Sequence, residues 1–417
     1  MSIELLLTPV RQQVSSQEVA DVAGSVRAGM AALPLHERVK PGMRVCVAVG
    51  SRGITGYTDV VGAVIECLQE LGAQPFLVPA MGSHGAATAE GQRQVLIGYG
   101  MGELGVPILS SLETVQIGTT PDGMPVFWDR HAADANAVIP VNRVKAHTAF
   151  HAPWESGLFK ILAIGLGKPL GADTIHARGV ASAMPKAARV AIAHKPVVAG
   201  VAIVDNGQHR PAQIAVIPGE RIESEEPPLL DRAKKLQPTI PFAALDLLIV
   251  QQMGKDISGT GMDTNVIGMW RRNAGPRQPD YRCVAVLELT RDSHGNASGI
   301  GMADLVPRRL VEQVDWQATY TNCLTARNFV GAKCPITLPT DRDVIAAGLA
   351  GLDPVAARVV LVKNTLELGT LWLSPALAAE VDSQAALEII GPAQHLDFDA
   401  EERMVFPVTD AVLVPIS

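Results

Sequence analysis

Histidine, lysine and glycine crowd into one stretch of this chain. From Asn142 to His176 it reads NRVKAHTAFHAPWESGLFKILAIGLGKPLGADTIH, holding His147, His151 and His176 of ten histidines in all, with Arg143, Lys145, Glu155, Lys160 and Lys168. Lys160 sits in Gly-Leu-Phe-Lys-Ile-Leu-Ala-Ile, where a solvated lysine face would have polar neighbours. A lysine held among apolar groups tends to lose its charge and become nucleophilic. A covalent or catalytic role is therefore expected beside the plainer reading of a surface charge. Behind it, the run Gly165-Leu166-Gly167-Lys168-Pro169-Leu170-Gly171 would let backbone N–H groups approach a phosphate. Its spacing is not that of a Walker A loop, and an ordinary turn is the simpler alternative. His84, in Gly82-Ser83-His84-Gly85, is either a structural turn residue or an acid/base group that substrate can approach. Gln252 and Lys255 are an amide and a charge suited to a carboxylate, or parts of a plain polar loop.

These residues need elements to hold them. Residues 44–49 (RVCVAV) predict a strand, 59–71 a helix stopped by Gly72, and 75–79 (PFLVP) a second strand that runs into the His84 loop. Residues 135–141 predict a third strand feeding the loop 142–150, and VVAGVAIVDN another with its turn at Asp205-Asn206-Gly207. The acidic, Pro-flanked segment 218–228 (PGERIESEEPP) reads as a surface connection near a domain boundary. Beyond it, 229–236 looks helical, 244–250 is a buried strand, and 271–281 is an irregular polar loop. Residues 283–289, 300–304 and 359–362 are strand candidates, with 404–415 a last extended pair. Alternating strands and helices predict an α/β class in two domains, 1–240 and 241–417. In open parallel sheets, ligands gather beyond the carboxyl ends of strands.

Composition narrows the function. Net charge is −7 and aromatics are 4% of the 417 residues, so a nucleic-acid partner is not expected. The five cysteines (Cys46, Cys67, Cys283, Cys323, Cys334) never fall as C-x-x-C, which disfavours disulfide frameworks and zinc ribbons. The uncharged run 71–89 carries Pro75, Pro79 and three glycines, so no membrane span is expected. The opening MSIELLLTP lacks a basic stretch. A cytoplasmic location is the expectation.

Taken together, Gly82-Ser83-His84-Gly85, NRVKAHTAFHAPWESGLFK, IGLGKPLGADTIH and QMGKDISGTGMD resemble the nickel-dependent lactate racemase superfamily of 2-hydroxyacid racemases and epimerases, as a divergent member. The resemblance runs from about 44 to 263 and more faintly to 316. It implies two α/β domains with the active site in the cleft between them. It also implies a nickel-pincer nucleotide, the nickel complex of pyridinium-3,5-bisthiocarboxylic acid mononucleotide, which takes hydride from C2 and returns it. Lys160 stands where the family's lysine carries that group as a thioamide, and His176 where its nickel ligand stands. Gly165, Gly167 and Lys168 would lie against the nucleotide. His84 matches the first acid/base histidine; the second is His147, with His151 as the alternative. Arg52, Gln252 and Lys255 match the substrate-carboxylate residues and Trp316 a pocket tryptophan. The implied partners are a 2-hydroxyacid, larger than lactate or sugar-derived, and cofactor-biosynthesis proteins. Two rival readings are a non-catalytic sensor of the same fold and a zinc hydrolase built on His147, His151 and His176.

Overall fold

The computed structural model describes residues 4–50 and 53–408. The chain forms two compact units, Ser15–Gln237 and Met1–Val14 together with Pro238–Ser417. The first domain was expected to span 1–240, but its opening strand does not belong to it. β1 (Leu6–Gln12) pairs antiparallel with Thr370–Leu373 and Leu387–Ile389. Leu7 and Val10 are buried there, so the second unit's core claims the first strand.

The first unit carries β2 (Arg44–Val49), α1 (Tyr57–Glu70), β3 (Gln74–Pro79), α2 (Ala89–Gly98) and the hairpin β4 (Thr114–Thr119) with β5 (Pro125–Asp129). Next come β6 (Ala137–Arg143), α3 (Leu158–Lys160), the π-helical turn Ile161–Gly165, α4 (Lys168–Ala177) and α5 (Val180–His194). β7 (Ala199–Asp205), β8 (Pro211–Pro218) and α6 (Ile222–Leu236) complete it. The sheet order is β3-β2-β6-β7-β8, parallel except for β8. β2, β3, β6 and β7 are almost wholly buried, which is why they read as continuous apolar runs and not as alternating ones.

Segment 218–228 is not the expected surface connection. A short 3₁₀ turn, Gly219–Arg221, leads into α6, whose Ile222, Glu226, Leu229, Leu230 and Ala233 form a buried stripe at helical spacing. Pro227 and Pro228 lie inside the helix. Pro227 has no N–H for the carbonyl four residues back, at Glu223. That carbonyl instead accepts the indole N–H of Trp154 at 3.0 Å.

In the second unit, β9 (Ala244–Met253), β10 (Asp280–Leu289), β11 (Leu305–Pro307), α7 (Trp316–Thr325) and β12 (Ile336–Leu338) precede β13 (Val359–Val362), β14 (Thr370–Leu373) and β15 (Leu387–Ile389). Their order is β12-β11-β10-β9-β13-β14-β1-β15. Residues 300–304 hold a 3₁₀ turn, Ile300–Met302, after Gly299 at φ +104°, so the strand begins later, at Leu305. The polar loop 271–281 is anchored from inside, where Arg271 is buried and donates to the carbonyls of Met302 and Tyr281. Met404–Val405 pairs with Asp397–Phe398, and residues 409–415 lie outside the described ones. Among the described residues no helix is long and apolar enough to cross a membrane.

Candidate active site

The first unit's sheet has one topological switch point. From β2 the chain moves to β3 on one side, then returns to β6 on the other. Ligands of open α/β sheets bind beyond the strand ends at such a point, here Gly50 after β2 and Asn142 in β6. The two ends are in close contact. A Cβ on Gly50 would lie 2.6 Å from Asn142 Oδ1 and 3.3 Å from Ile161, the residue after Lys160. Asn142 Nδ2 in turn donates to Gly157 O at 3.2 Å, at the head of the Lys160 turn. Arg52, in the loop after β2, lies outside the described residues.

The half-buried Lys160 ends α3, and the chain then widens into the π-helical turn, where Leu166 N bonds Ile161 O at 2.9 Å across five residues. Such insertions recur at functional sites. The turn is held from outside: Trp128 Nε1 donates to Leu162 O at 2.6 Å, Gly82 N to Gly165 O at 3.0 Å, and Asp129 N to Leu166 O at 2.6 Å. The Gly82 bond ties the His84 loop to the Lys160 turn. His176 lies in the last turn of α4, half-buried, with Nδ1 enclosed by protein.

Three residues expected at a phosphate have other surroundings. Gly165 and Gly167 are buried, and a Cβ would lie 2.6 Å from Ala80 O at the first and 2.9 Å from Ala163 O at the second. Their absence of side chain serves close backbone packing. Lys168 is fully buried at φ +54°. Its Nζ donates to Pro79 O at 2.5 Å and to Gln92 Oε1 at 2.9 Å, and lies 3.3 Å from Asp129 Oδ2. Burial lowers its pKa, against the pull of Asp129. An ammonium so engaged inside the fold is a structural cation. The other end of this chain of contacts reaches His84: Gln92 Nε2 donates to Gly82 O at 2.7 Å and to His84 O at 3.3 Å. His84 itself is exposed, opening a 3₁₀ turn.

The loop between β6 and α3 closes on itself where Lys145 and Ser156 exchange backbone bonds of 2.8 and 3.3 Å. Inside it lies Glu155, buried, which the sequence reading counted only as a charge. Its carboxylate accepts from His147 N at 2.6 Å and Ala152 N at 3.0 Å, and pairs with Lys234 of α6 at 2.6 Å. His151 Nδ1 is 3.4 Å from the same carboxylate, with the side chain 54% exposed. His147 stacks on Phe150 at 4.6 Å, and its Nδ1 accepts from Ala149 N at 3.0 Å. A second missed acid, Glu226, is buried beneath the Lys160 turn and accepts from Phe159 N at 3.0 Å. Burial raises its pKa to about 7, opposed by the amides of Phe159 and Leu158. The sequence did hold a signal for it, since Glu226 falls on the apolar stripe of α6, where an unpaired acid is out of place.

The second unit has its own switch point, between β9 and β13, and Gln252 and Lys255 stand at it. Gln252 N donates to Lys363 O at 2.8 Å, and its Nε2 to Glu288 at 3.3 Å. Lys255 Nζ donates to Gly259 O and to Asn322 Oδ1, both at 2.6 Å. Asn322 lies on α7, the helix that Trp316 opens. Among the described residues no three His, Cys, Asp or Glu side chains are grouped to hold a metal. His147, His151 and His176 therefore do not form the zinc site of the rival hydrolase reading.

A two-unit α/β chain with basic and imidazole side chains at the switch points has the build of a small-molecule enzyme. Residues 3–188, somewhat under half of the chain, match the family model of the lactate racemase N-terminal domain. The fold is similar to that of the lactate racemase apoprotein from Thermoanaerobacterium thermosaccharolyticum, with a TM-score of 0.52 and 9% identity over 85% of this chain and 94% of that one. No curated protein matches the sequence. The family match supports a racemase or epimerase type of function.

Proposed function

We propose that this protein inverts the C2 stereocentre of a 2-hydroxyacid, with Lys160 tethering a nickel-pincer nucleotide and His176 supplying its nitrogen ligand. The observation that carries this reading is the gathering at one switch point of the Lys160 turn, the His84 loop and the His147–His151 loop. The donor set agrees with it: a group that brings its own sulfur and carbon donors asks the protein for one nitrogen, and a lone imidazole on α4 suits that need. Gly165, Gly167 and Lys168 are set aside as phosphate contacts, given their burial. When bound, the nucleotide supplies a hydride acceptor and donor.

The remaining chemistry falls to the chain. With hydride leaving and returning at the carbon, the hydroxyl proton must be taken up and given back from either side of it, hence two acid/base groups. His84 is exposed at the tip of its loop, and its backbone is fixed through Gln92. For the second group, geometry favours His151 over His147. His147 Nδ1 already accepts an amide proton, so the neutral ring carries its hydrogen on Nε2 and has no lone pair there for a substrate proton. His151 lies beside the Glu155 carboxylate at 3.4 Å with its ring exposed, which leaves a ring nitrogen open to substrate. Gln252 and Lys255, with Arg52, are assigned to the substrate carboxylate. A substrate larger than lactate, such as a sugar-derived acid, is the reading drawn from the polar sequence that follows Lys255, with Asp256, Thr260 and Asp263.

The test is protein co-expressed with cofactor-biosynthesis proteins, measured for bound metal, intact mass and interconversion of 2-hydroxyacid stereoisomers. Nickel with added nucleotide mass and isomerisation is expected. Loaded protein that isomerises no 2-hydroxyacid, or protein that takes up neither nickel nor mass, would overturn the reading.

A further inference from the structure

The turn that presents Lys160 begins without a cap of its own. Gly157 has no side chain to offer the buried amides that follow it, and the first N–H groups of a helical turn need an acceptor. The acceptor comes from another element, as Glu226 of α6 reaches Phe159 N at 3.0 Å. The fit is close on both sides, because a Cβ on Gly157 would lie 2.6 Å from the Glu226 carboxyl carbon. The same helix holds the preceding loop at two more points, through Glu223 O to Trp154 and Lys234 to Glu155. α6 thus clamps the segment from His147 to Lys160, and Glu226 is the contact nearest the lysine.

We propose that Glu226 is a positioning residue for Lys160, closing the N-terminal end of its turn from α6 and thereby setting how accessible the lysine amine is. This rests on Lys160 being the tether, although the positioning itself is tested without any cofactor. Among the ionisable groups on the packed elements are Lys160, Glu155, Glu223, Lys234 and Arg189. Glu155 is matched by Lys234 at 2.6 Å and Glu223 by Arg189 at 2.7 Å. Burial, opposed by two backbone amides, controls Glu226, and its charging falls within the working range of pH. An anion there is costly to bury, so the turn opens more often as pH rises.

The experiment labels the full-length apo protein with an amine-reactive ester between pH 6 and 8.5 and reads each lysine by peptide mass spectrometry. The rate at Lys160 is divided by that at exposed Lys40, which cancels reagent chemistry. In the parent protein this ratio should climb through about pH 7. Glu226→Gln, which keeps an acceptor for Phe159 N, should hold the ratio low and remove the climb. Glu226→Ala should raise it about tenfold at every pH, as expected for losing a buried acceptor. Should that variant fail to fold, Gly157→Ala, which displaces the carboxyl, is expected to raise the ratio instead. One common ratio and one pH profile for parent, Glu226→Gln and Gly157→Ala would overturn the proposal. The tether is read separately, as the mass adduct on Lys160 of cofactor-loaded parent protein: a missing adduct beside altered labelling sinks the tether alone.

Discussion

Two histidines four residues apart differ in what their rings can do. His147 has spent its Nδ1 lone pair on Ala149 N at 3.0 Å, whereas His151 faces a buried carboxylate at 3.4 Å and is open to solvent. His151→Ala in loaded protein should slow both directions by about 10²–10⁴-fold, the usual range for an acid/base group. His147→Ala should cost less, through the loop it braces. Rates measured from each stereoisomer, after confirming nickel content, decide the matter; a dead His147→Ala beside a near-normal His151→Ala would return the role to His147. Three further substitutions probe the metal group directly. Lys160→Ala and Lys160→Arg should both lose the mass adduct, since a guanidinium cannot take a lysine's place in a thioamide. His176→Ala should keep the adduct and bind nickel more weakly, and unchanged nickel content would make His176 an ordinary helix-end residue. At this scale the sequence was informative for Lys160, whose apolar flanks are buried as expected, and misleading for Lys168. A lysine after glycines looks like a phosphate ligand; its partners Pro79, Gln92 and Asp129 come from segments far off in sequence and leave no local trace.

Among the elements, strands of the parallel sheets were the easiest to read. Residues 44–49, 75–79 and 359–362 fall at or within a residue of β2, β3 and β13, because a short continuous apolar run is what a parallel strand covered on both faces requires. α6 was hidden by its prolines and acids, which in isolation argue for a solvated connection. What overrides them is tertiary: Trp154 takes the carbonyl that Pro227 frees, and Glu226 is spent on the Lys160 turn. Glu226 also makes a stability prediction. Its folded pKa is raised from 4.5 to about 7, so the native state holds the proton more tightly than the unfolded chain does. The resulting stabilisation is complete below pH 4.5 and disappears as pH rises through 7. Its size is at most about 3 kcal/mol, from the shift at 1.36 kcal/mol per unit. The difference in urea stability between parent and Glu226→Gln, followed from pH 4 to 8, should change in that sense; a constant difference would contradict the raised pKa.

For the molecule as a whole, the surprise is where the chain starts. Pattern reading finds the apolar residues at 5–10 but not their partners, because strand pairing between residues 360 apart leaves no local trace. β1 lies between β14 and β15 in the second unit, with Thr8 opposite Leu373 and Val10 opposite both Leu371 and Ile389. Leu5, Leu7 and Val10 are buried in that unit's cores. Removing residues 1–14 would strip three large aliphatic side chains, each worth roughly 1.5–3 kcal/mol. It would also leave the facing edges of β14 and β15 without their ladder partners. The loss belongs almost wholly to the unit formed with Pro238–Ser417, since the first unit's sheet contains no part of this segment. A protein lacking residues 1–14 should therefore show two unfolding transitions in place of the parent's pattern, with only the second unit's shifted down. Hydrogen exchange should rise in β14 and β15 while β2, β3 and β6 stay protected. A synthetic peptide of residues 1–14, added in excess, should restore protection at those two strands. Equal loss of protection in both units would show instead that the two fold as one cooperative body, and that the division at Gln237 has no energetic meaning.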